Sequence, residues 1–282
     1  MNALKTAVLM AVLAGILIAL GWFIGGLNGA IIAFVVAIVL NFSSFFFSDK
    51  IVLSMYRAKE VSRSEQPQLH EIVDELAAHA GIPRPRVFVV PTDVPNAFAT
   101  GRDPSHSVVA VTQGILRLLS REELKGVLGH EMSHIKHRDI LIATIAATVA
   151  TAITMLATLL RFTAIFGGMG RDERGRGGLE LLLLAILAPI AAMIVQLAIS
   201  RSREYAADQS GAGLSGQPLG LADALVKLTK VNQLSGGMAS PATAHLFIVS
   251  SLRGSTFASL FSTHPPMEER VRRLRRMAGV VA

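Results

Sequence analysis

A chain of 282 residues that is 51% hydrophobic and only 17% charged, with a mean hydropathy of +0.51, is too apolar for an ordinary soluble globular protein. Its formal net charge of +7 is dispersed and accompanies no nucleic-acid-binding motif, so nucleic acid is excluded as a partner and the basic excess is read as a membrane-side asymmetry. Cysteine is absent, which rules out a disulfide framework and leaves His and carboxylate side chains to hold any metal.

Four stretches, residues 4–24, 27–47, 140–160 and 181–200, approach or exceed the roughly 20 apolar residues that cross a bilayer as a helix. The first is too long, and too closely followed by the second, to read as a cleavable signal peptide. The pair reads instead as a transmembrane hairpin, residues 1–48, turning at Gly25-Gly26-Leu27-Asn28-Gly29. Pro189 inside the fourth stretch predicts a kink, which neighbouring membrane helices tolerate. With four crossings, Lys5, Lys50, Arg57, Lys59, Lys125, Lys136, Arg138, Arg201 and Arg203 all fall on one side, against Arg161, Arg171, Arg174 and Arg176 on the other. Both termini and the segment 49–139 are therefore expected on the cytoplasmic side. The predicted organisation is a first hairpin at 1–48, one cytoplasmic part at 49–139, a second hairpin at 140–200 and a second cytoplasmic part at 201–282.

Between the hairpins, Leu69, Ile72, Val73, Leu76 and Ala77 have the spacing of an amphipathic helix over 67–80, ended by Gly81 and Pro83. Residues 86–90 and 107–112 are rich in Val and predict strands, with a third short strand at 97–100 inside the loop-rich stretch 91–103. Ser120-Arg121-Glu122-Glu123 fits a capping box, so a helix begins at about Arg121. Gly126 and Gly129 weaken that helix by about 1 kcal/mol each without ending it, and it is expected to continue into the third span. Beyond the fourth span, 201–209 predicts a helix, 211–218 a turn, 218–234 a second helix and 267–277 a short basic one. Arg270, Arg272, Arg273, Arg275 and Arg276 read there as a solvated face, with contact to anionic lipid as the alternative. The fold class expected is a mainly α integral membrane protein: four transmembrane helices plus a cytoplasmic α+β zincin-like catalytic domain with a small sheet.

The chemistry concentrates in His130-Glu131-Met132-Ser133-His134. Residues four apart share one face of a helix, so His130 and His134 present two imidazoles to one Zn²⁺ while Glu131 stands beside it as the general base. A third ligand supplied by the same helix in the metzincin manner would need Gly at 137 and His at 140, where the chain has His137 and Ile140. Glu204 fits instead. It and His134 lie roughly 6 to 9 Å outside the same membrane face at the rise of a helix, on the paired third and fourth spans. Asp208, one turn later, is placed to accept a hydrogen bond from the free nitrogen of a ligand His. His137 and Asp139 lie off the ligand face and read as solvent or headgroup residues, and His70, His79, His106 and His245 as surface residues. The strand at 107–112 is the expected edge for an extended substrate to join.

The N-terminal hairpin, Asn96-Ala97-Phe98-Ala99-Thr100-Gly101, the 130–134 motif, Ser202-Arg203-Glu204-Tyr205-Ala206-Ala207-Asp208 and Thr263-His264-Pro265-Pro266-Met267-Glu268-Glu269-Arg270 together resemble the HtpX family of bacterial membrane zinc metallopeptidases, which is similar to the CAAX prenyl endopeptidases. The resemblance spans nearly the whole chain. It implies one zinc ion per chain and endoproteolysis of misfolded or damaged membrane proteins at the cytoplasmic face of the inner membrane, a quality-control role with the lipid bilayer as surroundings. It also suggests that His264 approaches the site to stabilise an oxyanion, against the reading of a turn residue before the last helix. Asn96 has the same two faces, a contact to the substrate backbone or a loop turn. The rival from another class is a membrane scaffold or adaptor with a structural zinc site, which would usually carry four protein ligands. A transporter is disfavoured because the spans hold almost no charge. No sequence feature sets an oligomeric state.

Overall fold

The computed structural model describes residues 2–142, 145, 201–234, 248 and 265–280. The expected spans at 140–160 and 181–200 lie almost entirely outside these residues, as do His245 and His264.

Helix α1 (Asn2–Met55) is folded into two arms by non-helical backbone at Gly25 and at Gly26, whose φ of 57° and ψ of −141° suit glycine. The arms run together closely enough that a Cβ on Gly21 would stand 2.4 Å from the carbonyl oxygen of Gly29. Farther along, the Asn41 amide donates to the Met10 carbonyl at 3.2 Å. The helix thus doubles back where the glycines cluster. Among the described residues one helical segment, Gly25–Phe47, has the length and apolarity to cross a membrane, with Met10–Ala19 as a shorter apolar helix in the other arm.

After a second break in helical geometry at Phe47, the last turns of α1 meet a four-stranded sheet. Its strands are β1 (Lys59–Glu60), β2 (Arg86–Val90), β3 (Ala97–Gly101) and β4 (Ser107–Thr112), in the order β1-β2-β4-β3. Strands β2 and β4 are parallel, and the outer pairs are antiparallel. Alternation along the strands builds two cores. Val87, Val89, Ala97, Ala99, Val109 and Val111 face the helical layer. Phe88, Val90, Phe98, Val108 and Ala110 face Val52 and Leu53 of α1. The hairpin is therefore packed onto the sheet by its own last turns.

The sheet order corrects one expectation. Strand β4 is internal, paired on both sides, and the edge is β3. Because the Thr112 amide bonds the Asn96 carbonyl, the antiparallel alternation turns the backbone groups of Ala97, Ala99 and Gly101 away from β4.

Helices α2 (Pro67–Ala80) and α4 (Arg121–Lys136) stand where expected, and between them lies a short helix the sequence reading did not place, α3 (Gln113–Leu118). The capping box at Ser120 and Glu123 is formed in both directions. Contrary to expectation, α4 does not continue into residue 140. It ends at His137, and Arg138 takes a φ of 58°. The chain then folds back so that the Asp139 amide bonds the His134 carbonyl at 2.9 Å.

After the undescribed residues come α5 (Arg201–Ser215), α6 (Pro218–Leu234) and α7 (Met267–Met277). Helix α5 absorbs most of the turn expected at 211–218, leaving a reversal at Gly216 with φ 65°. The cause is packing: a Cβ on Gly129 of α4 would lie 2.6 Å from the Gly211 carbonyl oxygen of α5. At this crossing glycine serves close approach of two helices, and the contact outweighs its low helix propensity.

Candidate metal centre

The Gly129–Gly211 contact sets the two site helices in register. One residue beyond it, α4 projects His130 and, a turn later, His134; seven residues before it, α5 projects Glu204. His130 and Glu204 are buried, at 1% and 8% exposure. The two Nε2 atoms stand 3.2 Å apart. Glu204 places Oε2 at 3.7 Å from Nε2 of His130 and Oε1 at 3.6 Å from Nε2 of His134. A tetrahedral ion with ligands at about 2.0–2.1 Å needs its ligand atoms roughly 3.3 Å apart, so the three atoms outline one face of such a coordination sphere. The charges agree. Carboxylates of Glu131, Asp139, Glu204 and Asp208 face the guanidiniums of Arg203 and Arg270, an imbalance that a divalent cation neutralises. Two imidazoles and a carboxylate suit zinc, and the site fits a single zinc ion.

Each histidine has a carboxylate at its other ring nitrogen. Asp208 Oδ1 is 2.9 Å from Nδ1 of His130, and Asp139 Oδ2 is 3.4 Å from Nδ1 of His134. Both stand at Nδ1, which leaves Nε2 of each ring as the nitrogen available to a metal. Burial by itself would lower the His134 pKa. The hydrogen bond to Asp139 and the charges of Glu204, Glu131 and Asp139 override it and raise the metal-free imidazole to about 9. Asp208 is held below the usual carboxylate range: burial pushes it up, but the Arg270 guanidinium pulls it further down.

Glu131 is buried between α4 and the edge of β3. Its Oε2 accepts a hydrogen bond from the Ala99 amide at 2.9 Å, one of the backbone groups that β3 turns away from the sheet. Burial raises its pKa; His130 and His134 oppose the rise and Glu204 adds to it. A base with elevated proton affinity is thereby held by a strand whose remaining edge groups face the same way.

Several residues sit where the sequence alone did not place them. Asp139 was expected at a solvent or headgroup position and is a partner of His134, because the break at Arg138 folds it back. Its other oxygen lies 3.5 Å from Nη1 of Arg203. Arg270 was expected on a solvated face and is fully buried, donating to Asp208 through Nε and Nη2 at 2.7 Å each and to the Ile248 carbonyl at 3.0 Å. A signal for it existed: Arg270 lies on the apolar stripe of its helix, beside Val271 and one turn before Leu274. Asn96 is also buried, and its Oδ1 accepts from the Ile248 amide at 3.3 Å. Arg270 and Asn96 thus hold the carbonyl and the amide of one residue, Ile248. His70 was expected at the surface and is buried, with Nε2 2.9 Å from the Val61 carbonyl. His137 closes the end of α4 through the Ser133 carbonyl, and His79 and His106 are exposed as expected.

Comparison with known proteins agrees with this geometry. The family described as Peptidase family M48 matches residues 63–278. The "Protease HtpX homolog" of Pyrococcus furiosus is 56% identical over 277 residues, 97% of this chain and 95% of that protein. The "Protease HtpX homolog" of Persephonella marina is 56% identical over 282 residues, 99% and 98% of the two chains. Among solved structures, the crystal structure of S. mikatae Ste24p aligns with a TM-score of 0.53 at 19% identity. That alignment covers 97% of this chain and 65% of the other, and the likeness speaks for the fold alone.

Proposed function

The chain belongs to peptidase family M48 with a zinc metalloendopeptidase centre, and on that premise we propose that it cleaves unfolded or damaged membrane proteins at the cytoplasmic face of the membrane that holds it. The observation carrying this reading is the position of Glu131, buried beside His130, His134 and Glu204 while bonded to the open edge of β3.

The geometry supports the following roles. His130, His134 and Glu204 would hold zinc, with Asp208 and Asp139 orienting the two imidazoles. When bound, zinc supplies Lewis acidity to the scissile carbonyl and to the attacking water. Glu131 takes the proton from that water and returns it to the leaving amine. The backbone groups of β3 that β4 leaves unpaired are the proposed partners of an extended substrate, so recognition would rest on main chain and tolerate many side chains. Asn96 holds the Ile248 segment through its amide oxygen, and a contact to the substrate backbone remains its proposed further role. His264 remains the proposed donor to the developing oxyanion.

The membrane placement extends the same reading. Four spans, divided as 1–48 and 140–200, put both termini and the two cytoplasmic parts, 49–139 and 201–282, on the side rich in Lys and Arg. The scaffold alternative, a structural zinc site, would close the metal with a fourth protein ligand. A buried carboxylate of raised proton affinity next to the triad favours catalysis.

The test is purification in detergent with zinc, followed by cleavage assays on an unfolded membrane protein and an unfolded water-soluble protein. Wild type is expected to cut both when they reach the site and to cut the membrane protein faster once both enzyme and substrate share a bilayer. Absence of cleavage by wild type and Glu131→Gln alike would leave only the scaffold reading.

A further inference from the structure

The joint between the hairpin and the sheet contains a cavity of about 440 Å³ that the peptidase chemistry does not use. One wall is the end of the apolar segment, Phe46 and Phe47; the other carries Lys50, Arg84, Arg86 and Arg102. Cations are seated directly on the rings. The Arg102 guanidinium lies over Phe46 at 5.6 Å, and the Lys50 ammonium over Phe47 at 5.3 Å. Arg102 comes from the loop that follows β3, so a segment distant in sequence closes on the end of the span.

The carboxylates nearby engage these cations only in part. Arg86 faces Asp49 and Glu60, Arg102 faces Asp103 through Nε, and Arg84 faces Asp74 and bonds His70. Arginine carries five N–H donors, and the pairing of Arg102 leaves its terminal nitrogens available. Lys50 is exposed and has no carboxylate partner among the described residues. Of the acids, Asp49 alone lines the cavity, so its wall is positive by three charges. Phe42, Phe46 and Phe47 are exposed along the same side of the segment, where an acyl chain would run.

We propose that this cavity binds the headgroup of an anionic phospholipid, with the phosphate between Lys50 and Arg102 and an acyl chain along the phenylalanine face. The proposal rests on the reading of Gly25–Phe47 as a membrane span: only then do Phe46 and Phe47 lie at the depth where chains give way to headgroups. Its consequence is orientation. Arg102 follows the open strand of the site directly, so a lipid held here fixes the end of β3, and with it the substrate edge, against the bilayer.

The experiment is native mass spectrometry of the full chain in detergent, titrated with dioleoyl phosphatidylglycerol or dioleoyl phosphatidylcholine, with inorganic phosphate as competitor. Phosphatidylglycerol is expected to be retained in preference to phosphatidylcholine by wild type and by Glu131→Gln alike. Each basic residue near an anionic surface strengthens attachment roughly fivefold, so Lys50→Gln with Arg102→Gln should reduce phosphatidylglycerol retention about 25-fold. The charge-preserving pair Lys50→Arg with Arg102→Lys should keep it, which separates lost charge from lost fold. Equal retention of the two lipids, or full preference in the double Gln variant, overturns the proposal. Displacement of the lipid by millimolar phosphate overturns it in favour of a free-anion site. Carbonate washing of membranes distinguishes the underlying failure: a chain released by the wash loses the span and the lipid site together, whereas a retained chain without lipid preference loses the lipid site alone.

Discussion

Arg270 reaches Asp208 through two hydrogen bonds of 2.7 Å, and Asp208 lies 2.9 Å from Nδ1 of His130. A residue of the last helix is thus linked, through one carboxylate, to a ligand on α4. The guanidinium is fully buried and 4.0 Å from Glu204 as well, so it positions two ligands without touching the metal.

Removing one partner of a buried ion pair strands the other charge, at a cost of about 3–5 kcal/mol. Arg270→Ala is therefore expected to lower the unfolding temperature strongly and to lose zinc. Arg270→Lys keeps the charge but not the paired geometry, and is expected to fold while binding zinc more weakly. Thermal unfolding and zinc content, measured on both variants, check this.

Asp139 acts on the second imidazole. Loss of such an outer carboxylate typically weakens metal affinity about 10- to 100-fold. Asp139→Asn should show that drop in a competitive chelator titration, while Arg203→Gln, which removes a partner of Asp139 and leaves the Asp139 contact to His134, should show a smaller one. The same titration on a variant distant from the site, Arg63→Gln, should give the wild-type value.

The α4–α5 contact makes a steric prediction. Gly211→Ala would place a Cβ 2.5 Å from the His130 amide nitrogen, and overpacking of this kind costs typically about 1–3 kcal/mol. The variant is expected to unfold at lower temperature and to bind zinc less well. Gly213→Ala, where nothing lies within 4 Å of the added atom, should be neutral or slightly stabilising.

Metal removal should destabilise the fold itself, since the carboxylates outnumber the guanidiniums around the site. Zinc at one hundred times its Kd stabilises by about 2.7 kcal/mol. A chelator is expected to lower the unfolding temperature and abolish cleavage, and added zinc to restore both.

The parts legible in the sequence are those set by local rules. The spacing of His130 and His134, the Ser120 capping box, the periodicity of α2 and the glycine turn of the hairpin each depend on a few adjacent residues. Glu204 was reachable because the two spans expected from the sequence would return the chain to the same membrane face. The remainder depended on events that local pattern does not record. A single residue at positive φ, Arg138, converts Asp139 from a surface residue into the partner of His134. Sheet order, settled by long-range pairing, makes β3 the edge in place of β4. Gly126 and Gly129 read as weak points of a helix, and they serve as its closest contacts. Arg270 was hidden by the basic residues around it, although its place on the apolar stripe beside Val271 set it apart.

The most direct measurement compares zinc content and cleavage of an unfolded membrane substrate for wild type, Glu131→Gln and Glu204→Ala. Glu131→Gln is expected to retain stoichiometric zinc and to lose roughly 10²- to 10⁴-fold in rate, and Glu204→Ala to lose both zinc and activity. A Glu204→Ala protein with full zinc and undiminished cleavage would contradict the assignment of the third ligand and with it the centre described here.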